Sequence, residues 1–314
     1  MKYQSYQNNK DLMIGIPYGQ YKTKYLHMKK LFYLIISVFL ITLTSCEDVV
    51  QVKLDQGAKL IVVDAFVNDM RSFQKVRVTY TGDYFSGTTP PPVKGATVVL
   101  KDMTNNNSFN FADQGNGDYT FFLSNTDTIG YVGHTYQLQV TYGGTTYTSV
   151  ANLKRTTQID SIGVKYHDGS GFGKEGYTCS LWAFDVPGPI SDYYWIKSYR
   201  NGVLFNKGSQ INVAVDGAYS NGADGYIFIP PIAEAITPDG ERFKLNDVCT
   251  VEIHSISLDT YNFLLQVQTQ TTNSGLFATT PENIRTNITT PDGAMKAIGW
   301  FNMAAVSSAT KTVQ

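Results

Sequence analysis

The 314-residue chain carries 25 Lys and Arg against 26 Asp and Glu, a formal net charge of −1, with only 16% of its residues charged. It holds no basic run, no basic-aromatic patch and no glycine loop of dinucleotide or Walker type, which excludes the usual grips on nucleic acid or nucleotide phosphates. Abundant Gly, Asn and Thr, with 21 Tyr and 17 Phe, favour strands and turns over helices.

In chain order, residues 1–27 form a polar leader that a secretory signal does not require, so translation is expected to start at Met28. Lys29 and Lys30 precede an apolar run over 31–43 and then Leu43-Thr44-Ser45-Cys46. A charged head, an apolar middle and a small-residue exit in that order predict a signal peptide over 28–45, and the run is shorter than the roughly 18 residues of a spanning helix. The final tetrapeptide resembles a bacterial lipobox. That resemblance implies lipidation of Cys46, whose several acyl chains anchor far more firmly than one. Glu47 and Asp48 resemble the acidic export signal of Bacteroidetes lipoproteins, which implies display on the outer face of the outer membrane, and 46–58 would be the lipidated tether. Residues 1–45 hold six Lys and one Asp, so the chain from Cys46 onward has 19 basic and 25 acidic residues and a net charge of −6.

Residues 59–155 read as short strands separated by turns. The segments 59–67 (KLIVVDAFV), 75–80 (KVRVTY), 93–100 (VKGATVVL), 121–123, 133–140 (GHTYQLQV) and 145–149 are apolar or alternating. Prolines at 90–92 make 88–92 a loop, Asn105-Asn106-Asn107 and 115–120 turn the chain, and Gly143-Gly144 is a two-residue hairpin turn. Seven or so such strands predict a β-sandwich of about 100 residues. VKGATVVL, GNGDY and GHTYQLQV resemble prealbumin-like modules.

The alternation pauses over 153–160, and a second β-rich domain is expected over 156–314. Its strands are 162–166, 177–184 (YTCSLWAF), 192–200 (DYYWIKSYR) and 247–256 (DVCTVEIHSI). Ser257 then caps a helix near 258–271, where Leu258, Tyr261, Leu264, Leu265 and Gln268 recur at helical spacing and Gly275 lies past the end. The fold class is therefore all-β: two prealbumin- or immunoglobulin-like sandwiches, the second with one packed helix, behind a lipoprotein signal peptide.

The lipobox, the strand KLIVVDAFV, VKGATVVL with GDY, DVCTVEIHSISLDTYNFLLQ, and the ending Pro281-Glu282-Asn283-Ile284-Arg285-Thr286-Asn287-Ile288 with Ile298-Gly299-Trp300-Phe301 together resemble family 4249 of the domains of unknown function, lipoproteins of Bacteroidetes. The resemblance covers nearly all of 46–314. It implies a place at the outer membrane and a TonB-dependent outer-membrane receptor as partner, and it supplies no reaction. The expected function is an accessory binding subunit of such a receptor in nutrient capture. An adhesin or structural envelope lipoprotein, and a hydrolase, remain the alternatives.

No catalytic residue, metal site or cofactor is assigned. His134, His167 and His254 lack a partner at metal-ligand spacing, no Gly-x-Ser-x-Gly elbow occurs, and Asp185, Asp192, Glu234 and Glu252 are carboxylates that only spatial proximity would pair for glycoside chemistry. Aromatics are the expected binding chemistry: Tyr193, Tyr194, Trp195 and Tyr199, with alternation sending about half of such residues into the core. The loop 216–225 is polar and glycine-rich, a contact loop or an idle one. Cys179 and Cys249 form a disulfide or stay buried free thiols. Thr128 and Ser161, each after an aspartate, fit a Bacteroidetes O-glycosylation pattern.

Overall fold

The computed structural model describes residues 29–37, 59–82, 87–127, 129–170, 173–216, 225–228, 230–273, 278, 280, 282–293 and 297–314. Cys46, Glu47, Asp48, Thr128 and most of the loop 216–225 lie outside the described residues. The chain divides into two compact units, Met1–Gln56 and Gly57–Gln314. In the first, residues 29–37 form helix α1, whose apolar residues 31–36 are exposed. No described helix is long and apolar enough to cross a membrane.

The second unit is built almost wholly of strands. Its first sheet runs β14-β1-β2-β5-β4-β3-β6-β7, with β14 at Ala297–Ala304. Strands β1 (Ile61–Asn68), β2 (Phe73–Tyr80), β3 (Thr97–Asp102), β4 (Asn107–Asp113), β5 (Asp118–Phe122), β6 (Thr135–Tyr142) and β7 (Thr145–Asn152) are antiparallel neighbours. Period-2 alternation decides what each buries: Ile61, Val63, Ala65 and Val67 of β1 point inward while Asp64 points out. β4 makes the corner. Residues 107–111 pair with β3 and 112–113 with β5, so the strand passes between two four-stranded layers that close on one core with Leu100, Tyr119, Tyr136, Leu138 and Phe301. The β6–β7 hairpin turns on Gly143 (φ 58°) and Gly144 (φ 78°), both left-handed, as a two-residue primed turn requires.

The second layer system holds β8 (Ile159–Asp168) paired with β9 (Glu175–Ala183), facing a sheet of β11 (Val203–Leu204), β10 (Tyr193–Arg200), β13 (Val248–Ile256) and β15 (Val306–Thr312), with β12 (Asn212–Val215) also on β10. Cys179, Leu181, Ala183, Tyr194, Ile196, Val251 and Ile253 fill the space between. A short helix α2 (Pro230–Glu234) and the expected long one, α3 (Leu258–Thr272), complete it. The architecture is the expected all-β pair of sandwiches with one packed long helix.

A single cut at 155 does not describe the strand assignment. β14 (Ala297–Ala304) returns to the first sheet and pairs in parallel with β1, from Ile61 opposite Ala297 to Asn68 opposite Ala304, and Ile288 also joins the first core. Only Ala305 separates β14 from β15 in the other sheet. That crossing is pinned. The Ala305 N–H donates to Ser255 Oγ at 2.9 Å, Ser255 Oγ donates to the Lys154 carbonyl at 2.8 Å, and the Val306 N–H donates to Asp69 Oδ1 at 2.9 Å.

Candidate functional site

Strand β10 decides where the expected aromatic contacts go. Its burial alternates, sending Tyr194, Ile196 and Ser198 into the second core and leaving Tyr193, Trp195, Lys197 and Tyr199 on the opposite face. Tyr194 is thus a correction to the expected contact set. Its side chain is 0% exposed and its hydroxyl lacks a hydrogen-bond partner among the described residues. The other three lie on the face that looks toward β1 and α3. Tyr193 meets Tyr261 at 5.4 Å between ring centroids, and Trp195 meets Phe66 of β1 edge-on at 4.9 Å.

Helix α3 is held on that side by the chain's end. Ser257 caps it by accepting the Thr260 N–H, Trp300 Nε1 donates to Thr260 Oγ1 at 3.0 Å, and Thr260 Oγ1 donates to Asn302 Oδ1 at 3.1 Å. Phe263 stacks on Trp300 at 4.5 Å with 15° between ring planes and reaches Phe66 at 6.5 Å. The terminal signature therefore has a structural account. Asn287 imitates a strand neighbour of β14, its Nδ2 donating to the Phe301 carbonyl and its Oδ1 accepting the Phe301 N–H. Gly299 sits at φ +119°, where an added Cβ would fall 1.9 Å from the Val63 carbonyl oxygen, so no side chain fits.

Between β1, β2, β10 and α3 runs a groove of about 550 Å³. Phe66, Trp195, Phe205, Phe263 and Val267 give it apolar walls, and Asp64, Lys75 and Lys197 supply its charges. Phe73 lines it too, 71% exposed, and packs edge-on against Phe122 at 5.0 Å. The size and the placement at a junction of two layered bodies are those of small-molecule sites. A larger hollow of about 740 Å³ lies beside β9, β12 and α2 and is lined mainly by polar groups such as His167, Asn212, Arg242 and Gln268.

Opposite Lys197 in the β10–β13 pairing is Glu252, which belongs to a buried hydrogen-bonded set. His254, 3% exposed, hydrogen-bonds through Nε2 to Glu252 Oε2 at 2.8 Å, and the same oxygen accepts from Tyr199 Oη at 2.9 Å. Burial pushes His254 down to about 4 against the pull of Glu252. Burial raises the Glu252 carboxyl, yet the bonds from His254 and Tyr199 and the charges of His254 and Lys197 outweigh it and leave the group below its usual value. Burial raises the Tyr199 phenol, as do the charge of Glu252 and its hydrogen bond. The Lys197 ammonium lies 4.0 Å over the Trp195 ring, and burial pushes it down to about 8 while Glu252 and Asp64 oppose that shift. Asp64, exposed at the rim, is raised by the protein around it, with Lys75, Lys197 and Arg77 acting against that.

The remaining sequence candidates lie elsewhere. Cys179 and Cys249 are both buried free thiols in the second core. His134 bonds Asp102 at 2.9 Å and His167 bonds Thr178 at 2.9 Å, and among the described residues no three His, Cys, Asp or Glu gather as metal ligands. Asp192 accepts from Arg155 Nε at 2.7 Å, and Glu234 is exposed at the end of α2. Ser161 is exposed on β8. Sequence reasoning missed Asp64, Phe66, Phe73, Lys197 and Phe263 because they come from four elements; the one local signal was a lysine two places after Trp195 on an aromatic strand.

A family model described as Domain of unknown function (DUF4249) matches residues 47–310. No curated protein matches the chain. Among solved structures, the chicken CNTN1 FN1–FN3 domains align at 13% identity and TM-score 0.21, over 62% of this chain and 59% of theirs. A 1.5-MDa bacterial ice-binding adhesin, described for host cell surface retention, aligns at 12% and TM-score 0.18, over 83% of this chain and 66% of its own. The chain thus spans less than two thirds of either neighbour, and scores this low carry no argument.

Proposed function

The chain belongs to the family described as Domain of unknown function (DUF4249), and from that premise we propose that it is an outer-membrane lipoprotein of Bacteroidetes, an accessory binding subunit of a TonB-dependent receptor. Cys46 carries the acyl chains, Glu47 and Asp48 direct the protein to the cell surface, and residues 46–58 tether the pair of sandwiches. The observation that carries the binding role is the aromatic groove between β1, β10 and α3, with its charged residues at the floor and rim. A cargo held there would lie between two layered bodies joined by a pinned crossing, so a partner touching both could sense whether the groove is filled. A non-catalytic role accords with the use of the candidate carboxylates: Asp192 is bonded to Arg155 and Glu252 to His254 and Tyr199.

Replacing Cys46 tests the anchor. Cys46→Ser removes the acceptor sulfur, so the variant should lose label from a fatty-acid probe and leave the outer-membrane fraction. Glu47→Ala with Asp48→Ala should keep the label and reduce only protease shaving of whole cells. A serine variant that retains both label and outer-membrane fractionation contradicts the reading.

A further inference from the structure

We propose that the groove takes a ligand with a flat apolar or aromatic body and one carboxylate head, the head seated on the Lys197 ammonium and the body lying along the wall that Phe66, Trp195 and Phe263 form. The inference rests on reading the chain as a binding subunit and names the chemical class of its cargo.

Three observations converge on that class. Among the described residues the Lys197 ammonium takes part in no ion pair or hydrogen bond, and its neighbour is the face of Trp195 at 4.0 Å. A cation held over a ring and short of an oxygen partner gains a charge-assisted bond when a carboxylate arrives. The groups facing it leave that position open. Glu252 on β13 accepts from His254 and Tyr199, Asp64 on β1 stands at the exposed rim, and Lys75 and Arg77 on β2 add positive charge. Helix α3 contributes only Phe263, Leu264 and Val267 to the lining, with no charge. The apolar walls then select the body. Lys75 and Lys197 against Asp64 leave the lining a net of one positive charge, which a singly charged carboxylate balances and a doubly charged phosphate exceeds. About 550 Å³ holds a small molecule, not a folded partner.

The probes are 2-naphthoate and its neutral isostere 2-naphthamide, titrated by calorimetry into the full chain in detergent with a detergent blank. 2-Naphthoate should bind at least about tenfold more tightly than 2-naphthamide, the size of one charge-assisted hydrogen bond. Lys197→Met should erase that preference. Phe73→Ala, at the exposed rim, should weaken both probes alike. Asp64→Asn removes the competing carboxylate without touching the core, so it should tighten 2-naphthoate by about threefold and serves if the lysine variant does not fold. Equal affinity for the two probes, full 2-naphthoate binding by Lys197→Met, or weaker 2-naphthoate binding by Asp64→Asn overturns the inference. Recovery of a receptor with the protein is a separate readout, so an anchored, receptor-bound protein indifferent to the carboxylate sinks this inference alone.

Discussion

At the scale of single residues, two positions carry strong constraints. His254 is buried and neutral, bonded to Glu252, with its folded-state value lowered to about 4. A base so lowered binds fewer protons folded than unfolded between about pH 4 and its ordinary value near 6.5, so stability falls as pH drops through that window. Glu252 adds to the loss only below the ordinary carboxylate range, where its lowered folded-state value is titrated. Denaturant melts should show a loss on the order of 2 kcal/mol between pH 6.5 and 4. His254→Gln still donates to Glu252 but does not titrate, so its slope there should be shallower; coincident slopes would refute the assignment. Gly299→Ala places a Cβ against the Val63 carbonyl at a left-handed φ, and a cost of at least about 3 kcal/mol is expected in the same melts. A loss below about 1 kcal/mol, the low end of the strain from the φ alone, would show that β14 shifts easily.

At the scale of elements, α3 depends on the far end of the chain for its position. Thr260 joins the cap, Trp300 and Asn302 in one buried network, and Phe263 stacks on Trp300. Trp300→Phe keeps a ring for Phe263 but removes the Nε1 donor, leaving a buried hydroxyl short of one bond at a cost of about 1–2 kcal/mol. Because the Thr260 side chain also touches Ser257, Trp300→Phe and Ser257→Ala should be non-additive; a double-mutant cycle with no coupling would contradict a shared network. Much of this layer was legible in sequence. The helix expected near 258–271 is Leu258–Thr272, its Ser257 cap is real, and the strands expected at 59–67, 75–80, 93–100, 133–140 and 145–149 overlap β1, β2, β3, β6 and β7, whereas β4 was not expected and β5 starts at Asp118 inside the expected turn. Phase was harder to read. DYYWIKSYR announces an alternating strand, yet only its pairing with β13 and its place over the second core put Tyr194 inside and Trp195 outside. The return of β14 to β1 joins residues more than 230 positions apart, which no local pattern encodes.

At the scale of the whole unit Gly57–Gln314, two cores are joined by a one-residue crossing and by aromatic packing around Phe66, Trp195 and Phe263. Neither body holds its full complement of strands without residues 297–312, since β14 serves one and β15 the other. Heating should therefore give one calorimetric transition whose van't Hoff and calorimetric enthalpies agree; two separable transitions would show independent sandwiches. The groove exists only in that joined state, because its lining comes from β1 and β2 on one side and from β10 and α3 on the other. The same geometry explains why the groove was illegible in sequence: a site made by docking two bodies has no contiguous signature. The central claim is that this protein serves a receptor, and its most direct test is affinity capture through a carboxyl-terminal tag from detergent-solubilised outer membrane. A large TonB-dependent β-barrel should be recovered with the native protein at near-stoichiometric yield, and capture of the tagged protein without any such barrel would contradict the account.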